Sequence, residues 1–210
     1  MLSPMTKLSF PEDIEINSDS LICGGEKINF DEIKSIRVYL KNTTTNLTAF
    51  TGIPTVSGIN SSIDIILENE EKFSIHVANY EEWGGFKNKK GISSLKDGLA
   101  FATLLEEKTF DNRVQHYLNT GNQSMYFKYR GYEFLKDNTI RLGSKKFGSF
   151  LEDEYEILQG FRSLEFKEKG AKGVINMIFP QDQREKNIIN LTNDADVIFY
   201  LVKKLITQQL

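Results

Sequence analysis

The side chains best suited to chemistry in this sequence are His76, His116 and Cys23. A metal-binding or catalytic histidine needs partners that converge in space. The sequence has no His-x-x-x-His, His-Glu-x-x-His or Cys-x-x-Cys spacing that would supply them. Cys23 is the single cysteine, and its place between Ile22 and Gly24 predicts a small buried side chain rather than a nucleophile. We therefore expect no metal site and no catalytic centre at these residues.

A run of carboxylates at Glu152, Asp153, Glu154 and Glu156 is a candidate source of a paired catalytic acid and base. Consecutive carboxylates point in different directions, so the run predicts a solvated surface instead. Phosphate-binding glycine loops and the Gly-x-Ser-x-Gly elbow are absent from the sequence. The sequence thus indicates a protein that is not an enzyme and that uses no cofactor.

The first of two basic clusters follows the only tryptophan, with Lys87, Lys89 and Lys90 after Trp83. Aromatic residues beside glycine pairs and lysines are typical of a binding loop, where the aromatic side chain anchors a ligand and the lysines meet acidic groups. The alternative is that Trp83 packs against the helix that follows it. We take the four residues as candidate ligand-binding residues.

The second basic cluster lies between residues 124 and 147, where six bases face two acids, a local net charge of +4. If the bases share one face of the strands, they attract anions. The alternative is that they scatter over both faces. The bases are Lys128, Arg130, Lys136, Arg141, Lys145 and Lys146, and the last four are the candidate ligand-binding residues.

Composition restricts the class of protein. The 210 residues carry 26 Lys and Arg against 29 Asp and Glu, and 40% are hydrophobic. That apolar share is enough for a buried core, and the absence of a basic excess argues against a nucleic-acid partner. The sequence has no apolar run of about 20 residues and no signal-peptide pattern near its start, so we expect a cytoplasmic location.

In the first half, alternating apolar residues predict hairpin strands over residues 14–40 and 63–77, with Gly24-Gly25 as a tight turn. Residues 42–60 are polar and are predicted as loops around one short strand at 50–53. After Gly91, apolar residues at three- and four-residue steps predict an amphipathic helix. It breaks near Thr109, whose hydroxyl is suited to cap the next turn, and it stops before Gly121.

The second half repeats this order. Strands are predicted near residues 132–135, 140–142, 161–166, 175–179 and 188–191, with Gly143-Ser144 in the place of Gly24-Gly25. Asp194 is predicted to cap a final helix. Its apolar face comprises Ile198, Leu201, Val202, Leu205 and Ile206.

Hairpin strands closed by one C-terminal helix resemble the layout of the pleckstrin-homology (PH) superfold. Residues 14–40 with 63–118, and 132–166 with 174–205, carry the resemblance. It implies an α+β protein with two PH-like antiparallel β-barrels or sandwiches, each capped by one C-terminal helix, as in tandem domains of bacterial proteins. The domains would be residues 1–121 and 122–210. The alternative is two unrelated α+β halves.

The superfold includes domains that bind lipids, phosphopeptides and proteins, so the layout alone does not choose among them. Members that bind phosphoinositides carry a lysine on the first strand and a basic-x-Arg pair on the second. Here Lys136 and Arg141 flank the first turn of the second half, but the pair is missing. We therefore expect a non-enzymatic interaction module for a protein or peptide partner. The alternative is a peripheral membrane protein that binds anionic lipid through the basic first hairpin of the second domain.

Overall fold

A computed structural model describes residues 5–45, 56–83, 89–151, 155–160, 162–168, 188–208 and 210. The chain divides into two compact units, Met1–Asn112 and Arg113–Leu210. The division falls inside a helix and ahead of the boundary predicted at Gly121. Both units contain strands and helical residues, so the predicted α+β class is confirmed.

The first sheet of the first unit is an antiparallel meander of β2 (Ile14–Ile16), β3 (Ser20–Cys23) and β4 (Glu26–Asn29). Gly24 and Gly25 join β3 to β4 with φ of 58° and 88°. Two consecutive positive φ angles are the requirement of a type I′ hairpin turn, which glycine meets without steric cost. The tight turn predicted from this glycine pair is present.

The second sheet has the strand order β1-β7-β6-β5, formed by Met5–Ser9, Lys72–Trp83, Val56–Leu67 and Ile33–Thr45 respectively. A 3-10 turn at Phe30–Glu32 leads into β5. Strand β1 pairs in parallel with β7, whereas the other pairs are antiparallel. The expectation of purely antiparallel sheets is therefore wrong for this unit.

The polar stretch predicted as loops is partly strand. Residues 42–45 and 56–60 continue β5 and β6, and the two strands stay paired up to Thr45 and Val56. Threonine-rich sequence suits an extended backbone, and the ladder satisfies the peptide groups that a loop would leave to water. The short strand predicted at residues 50–53 lies outside the described residues.

Helix α1 (Lys89–Lys108) covers the inner face of the second sheet. Its Phe101 and Leu105 are buried in one apolar core with side chains from both sheets. Gly98 permits the close approach, because a Cβ there would lie 1.9 Å from Val77 Cγ1. The helix therefore packs directly on strand β7.

The predicted break at Thr109 is present, and α2 (Phe110–Asn119) begins immediately afterwards. The Thr109 hydroxyl donates back to the Leu105 carbonyl at 2.8 Å, and its predicted capping of the second helix stays a prediction. Gly121 follows the end of α2. A larger residue would collide at this position, because its Cβ would lie 2.3 Å from the Tyr126 carbonyl oxygen.

The second unit contains a four-stranded antiparallel meander with the strand order β11-β10-β9-β8. Its strands are β8 (Met125–Tyr129), β9 (Tyr132–Leu135), β10 (Thr139–Leu142) and β11 (Lys145–Ser149). A second antiparallel sheet consists of β12 (Tyr155–Gly160), β13 (Ser163–Glu168) and β14 (Ile188–Asn190). Gly148 of β11 lies against the Phe166 ring of β13, where a Cβ would be 3.3 Å from the ring.

Helix α3 (Ala195–Ile206) buries Ile198, Leu201, Val202 and Leu205, as its apolar spacing predicts. Asp194 stands at its N-cap position, but the Asp194 side chain makes no capping hydrogen bond. That part of the helix prediction is wrong, because the carboxylate binds other side chains.

All four sheets in the described parts of the chain are open, and these strands form no closed barrel. The strand predicted at residues 175–179 and the residues Phe161, Glu152, Asp153 and Glu154 lie outside the described residues. Among the helices that the structure describes, none is long and apolar enough to cross a membrane.

Candidate functional site

The basic residues of the second cluster lie mainly on the β8–β11 sheet. The backbone register aligns Lys128, Glu133, Arg141 and Lys146 across the four strands. Paired residues share one face, and the neighbouring aligned set containing Phe134 and Ile140 is fully buried. The Lys–Glu–Arg–Lys set, which we call the charged row, therefore lies on the outward face.

Lys145 occupies the next position towards one end of the sheet, paired with Leu142. Two hairpin turns meet at this end, Arg130-Gly131 between β8 and β9 and Gly143-Ser144 between β10 and β11. Arg130 and Gly131 have φ of 47° and 93°, and Gly143 has a φ of 60°. The strand order thus brings Arg130 and Lys145 to the same end of the sheet. Lys145 aligns with Leu142, Tyr132 and the buried Tyr129, so its side chain lies on the face opposite the charged row.

Lys136 lies at the opposite end of the sheet, in the turn between β9 and β10. Its ammonium is 5.9 Å from the centre of the Tyr126 ring, within the range of a cation–π contact. Of the four predicted residues, the structure places Arg141 and Lys146 together on the outward face and Lys145 on the opposite face at one hairpin end. Lys136 lies apart, at the other end of the sheet.

Two carboxylates interrupt the positive surface. Lys128 Nζ is 3.4 Å from Glu133 Oε1, and Arg141 Nη2 is 3.9 Å from Asp137 Oδ2. Side-chain and backbone hydrogen bonds from Thr139, with a smaller effect of Arg141, lower the pKa of Asp137. The carboxylate is ionised at neutral pH, so the surface presents both signs of charge with positive charge in excess.

Apolar side chains accompany the cations at the hairpin ends. Leu142 is 43% exposed, although it aligns with Tyr132 and with the buried Tyr129. Phe147 is the extra residue of a β-bulge, opposite the step from Ile140 to Arg141. The half-buried rings of Tyr132 and Phe147 meet edge to face, with centres 5.0 Å apart. Bulges of this kind redirect a side chain, and here the result is an aromatic pair beside an exposed leucine.

The first basic cluster is described only by its backbone. Trp83 is the last residue of β7 and pairs with Val56 of β6, while Lys89 and Lys90 are the first residues of α1. Lys87 and the side chains of the other three lie outside the described part of the molecule. The binding loop at this cluster stays a prediction.

The histidines and the cysteine occupy separate places. His76 is exposed on β7, and the half-buried His116 meets the Tyr117 ring edge to face at 5.9 Å. Cys23 is buried, and burial together with the charge of Glu26 raises its thiol pKa to about 12. The thiol is therefore protonated at neutral pH. Within the described ranges, no group of three or more His, Cys, Asp or Glu side chains converges as a metal site would need.

Sequence reasoning missed a buried ion cluster formed by Arg113, Tyr117, Asp194 and Asp196. Arg113 Nη1 and Nη2 donate to the two carboxylate oxygens of Asp196 at 2.9 and 2.7 Å, and Nη1 also donates to Asp194 at 3.1 Å. Tyr117 Oη donates to the other Asp194 oxygen at 2.8 Å. The side chains of Arg113 and Asp194 are fully buried. The one signal in the sequence was the four-residue spacing of Arg113 and Tyr117, which puts both on one face of α2.

Burial by itself lowers the pKa of Arg113, but hydrogen bonds and charges from Asp196 and Asp194 raise it above the ordinary value. Burial, and then the negative charge of Asp194, raise the pKa of Tyr117. The arginine therefore stays charged and the phenol stays a hydrogen-bond donor. With these roles, the cluster holds α2 to the start of α3 within the second unit.

Comparison of the chain with protein-family models, curated proteins and solved structures found no match.

Proposed function

We propose that the protein is a non-enzymatic interaction module with two PH-like domains, and that its second unit binds an acidic segment of a protein or peptide partner. The observation that carries the proposal is the charged row, with Arg141 and Lys146 opposite each other on an outward sheet face. Lys145 and Arg130 extend the positive charge to the adjacent hairpin ends. Clustered cations of this kind steer and orient an anionic partner.

The mixture of charges favours a protein partner over a lipid surface. A membrane is uniformly anionic, so Glu133 and Asp137 only reduce its attraction to this face. A protein segment with its own pattern of charges can place basic groups against those two carboxylates and acidic groups against Arg141 and Lys146. Both signs of charge then contribute to specificity.

The PH-like architecture is supported by what the two units share. Each has seven described strands, in one sheet of four and one of three. Each contains a three-stranded meander whose second turn is a two-residue glycine turn, at Gly24-Gly25 and at Gly143-Ser144. In each, a helix follows the last strand, and its apolar face is buried in that unit's core.

The test compares an acidic peptide with an anionic membrane. A fluorescein-labelled peptide of about twelve residues, rich in Asp and Glu, is titrated against the full chain at low and at physiological salt. The variant Arg141→Glu/Lys145→Glu replaces two positive charges by two negative ones, a change of −4 that takes the local +4 to zero. An exposed ion pair contributes about 0.5 kcal/mol. Each charge reversal loses one such attraction and adds a repulsion of similar size, a cost of about 1 kcal/mol. The two reversals together therefore cost about 2 kcal/mol, or roughly a thirtyfold loss of affinity.

The matched control is Lys7→Glu/Lys96→Glu, which makes the same charge change at exposed positions of the first unit. We expect it to bind the peptide within about twofold of the wild type. Equal losses in the two double variants would overturn the assigned surface. Binding to phosphatidylserine vesicles without binding to the peptide would overturn the protein-partner proposal in favour of the lipid alternative.

A further inference from the structure

The ends of the β8–β9 and β10–β11 hairpins form a surface that is both apolar and basic. We call it the hairpin-end patch and define it as Arg130, Tyr132, Leu142, Lys145 and Phe147. The Leu142 side chain lies next to the Arg130-Gly131 turn, since its Cδ1 would be 3.7 Å from a Cβ placed on Gly131. Leu142 therefore spans the two hairpin ends.

The apolar part of the patch has a rigid base. The Phe147 ring meets Tyr132 at 5.0 Å on one side and the buried Phe166 at 6.0 Å on the other. Burial raises the pKa of Tyr132, so its hydroxyl is neutral. An aromatic pair fixed against the core loses little conformational entropy when a ligand covers it. Aromatic residues and arginine are also the side chains most enriched where binding energy concentrates.

Basic side chains border the Tyr132–Phe147 pair. Arg130 and Lys145 belong to the patch itself. The charged row lies on the opposite face of the sheet, because successive residues of a strand point to opposite faces. A purely apolar partner would make no ionic contact with Arg130 and Lys145, and a purely acidic one would leave Leu142 in water. The surface matches a segment that carries one large apolar side chain flanked by carboxylates.

We infer that the partner of the second unit is an acidic peptide segment with a central aliphatic or aromatic residue, which rests on Leu142 and the Tyr132–Phe147 pair. Its flanking carboxylates contact Lys145 and Arg130 at the two hairpin ends. This inference rests on the proposed function and adds the apolar anchor, which sets the affinity of the segment.

The test uses two labelled peptides that differ at one position, one with a central leucine between Asp and Glu residues and one with alanine there. Against the wild-type chain, we expect the leucine peptide to bind about tenfold more tightly. Leu142→Ser should remove most of that preference while leaving binding of the alanine peptide unchanged. Leu104→Ser, at a similarly exposed leucine of α1, is the matched control and should retain the full preference.

The outcomes separate this inference from the proposed function. If both peptides bind equally and Arg141→Glu/Lys145→Glu abolishes binding, the acidic partner stands and the apolar anchor is wrong. If the leucine preference survives in Leu142→Ser, the anchor lies elsewhere and the inference fails. If the double reversal leaves the binding of both peptides unchanged, the proposed function itself fails. A circular dichroism spectrum and melting curve of each variant verify that it is folded.

Discussion

The buried ion cluster gives the sharpest test of how the second unit is held together. Replacement of Arg113 by methionine keeps an unbranched side chain but removes the charge and the three hydrogen bonds to Asp194 and Asp196. Asp194 is fully buried and would be left ionised without its cation. Removal of one partner from a buried pair costs about 3–5 kcal/mol. Since a domain is stable by about 5–15 kcal/mol, Arg113→Met should remove about a fifth or more of the free energy of unfolding.

A second substitution isolates the electrostatic contribution. In the wild-type chain, Asp194→Asn leaves Arg113 paired with Asp196 and weakens one hydrogen bond to a charged group, at a cost of about 1–3 kcal/mol. In the Arg113→Met chain, the same change removes an uncompensated buried charge. We expect Asp194→Asn to cost at least about 1 kcal/mol less in that background, the coupling typical of contacting residues.

The assay is urea denaturation of the full chain with hydrogen exchange read by mass spectrometry. Because a chain with two compact units need not unfold in a single two-state transition, a global signal does not give the stability of one unit. Exchange in peptides from α2 and α3 reports on the second unit directly. A loss below about 1 kcal/mol in Arg113→Met, or an equal cost of Asp194→Asn in both backgrounds, would refute the reasoning.

Three further predictions concern single positions. Gly98→Ala should lower the free energy of unfolding by about 1–3 kcal/mol despite the better helix propensity of alanine, because the new methyl group collides with Val77. Adding Val77→Ala should restore most of this loss in urea denaturation. An unchanged midpoint in Gly98→Ala would contradict the close packing. Cys23 should resist a thiol-specific disulfide reagent at pH 8 in the folded chain and react at once in urea, because burial raises its pKa to about 12; rapid reaction of the folded chain would contradict its burial. Tyr117→Phe should lower stability by about 1–2 kcal/mol at pH 7. Because folding raises the pKa of Tyr117, the phenol loses its proton first in the unfolded chain as the pH rises above 10. Wild-type stability therefore falls there, and the stability difference between the two proteins shrinks. A constant difference between pH 7 and pH 11 would contradict the assignment.

Short-range patterns predicted much of the local structure. The glycine pair at residues 24 and 25 predicted a hairpin turn because few other residues adopt two positive φ angles. The spacing of Ile198, Leu201 and Leu205 predicted the buried face of α3, because that period belongs to a helix with one side in a core. Both predictions depend only on residues that are close in sequence.

Features that depend on distant pairing were not predictable. Nothing in the sequence of β1 indicates that it pairs in parallel with β7, some 67 residues later in the register that aligns Met5 with Lys72. Asp194 follows the pattern of a helix cap, yet its carboxylate binds Arg113 from a helix 81 residues earlier. Buried charges prefer full pairing to a single capping bond, so tertiary structure overrode the local rule.

The sequence predicted the candidate site only in part. Alternation along the strands left open whether the basic residues share one face or scatter over both. The sequence did not show that a bulge at Phe147 places Lys146 opposite Arg141, or that Lys136 lies at the other end of the sheet. Strand register and turn position set those relations, and one residue of slippage would move a side chain to the other face.

The central claim is that the outward face of the β8–β11 sheet binds an acidic protein segment. The most direct measurement is a titration of the uniformly 15N-labelled full chain with the acidic, leucine-containing peptide, followed through backbone amide shifts. We expect the largest changes at Lys128, Arg141, Leu142 and Lys146, with small changes at the strands of the first unit. Shifts that concentrate on the first unit, or no shifts at peptide concentrations where vesicles of phosphatidylserine do perturb these amides, would contradict the claim.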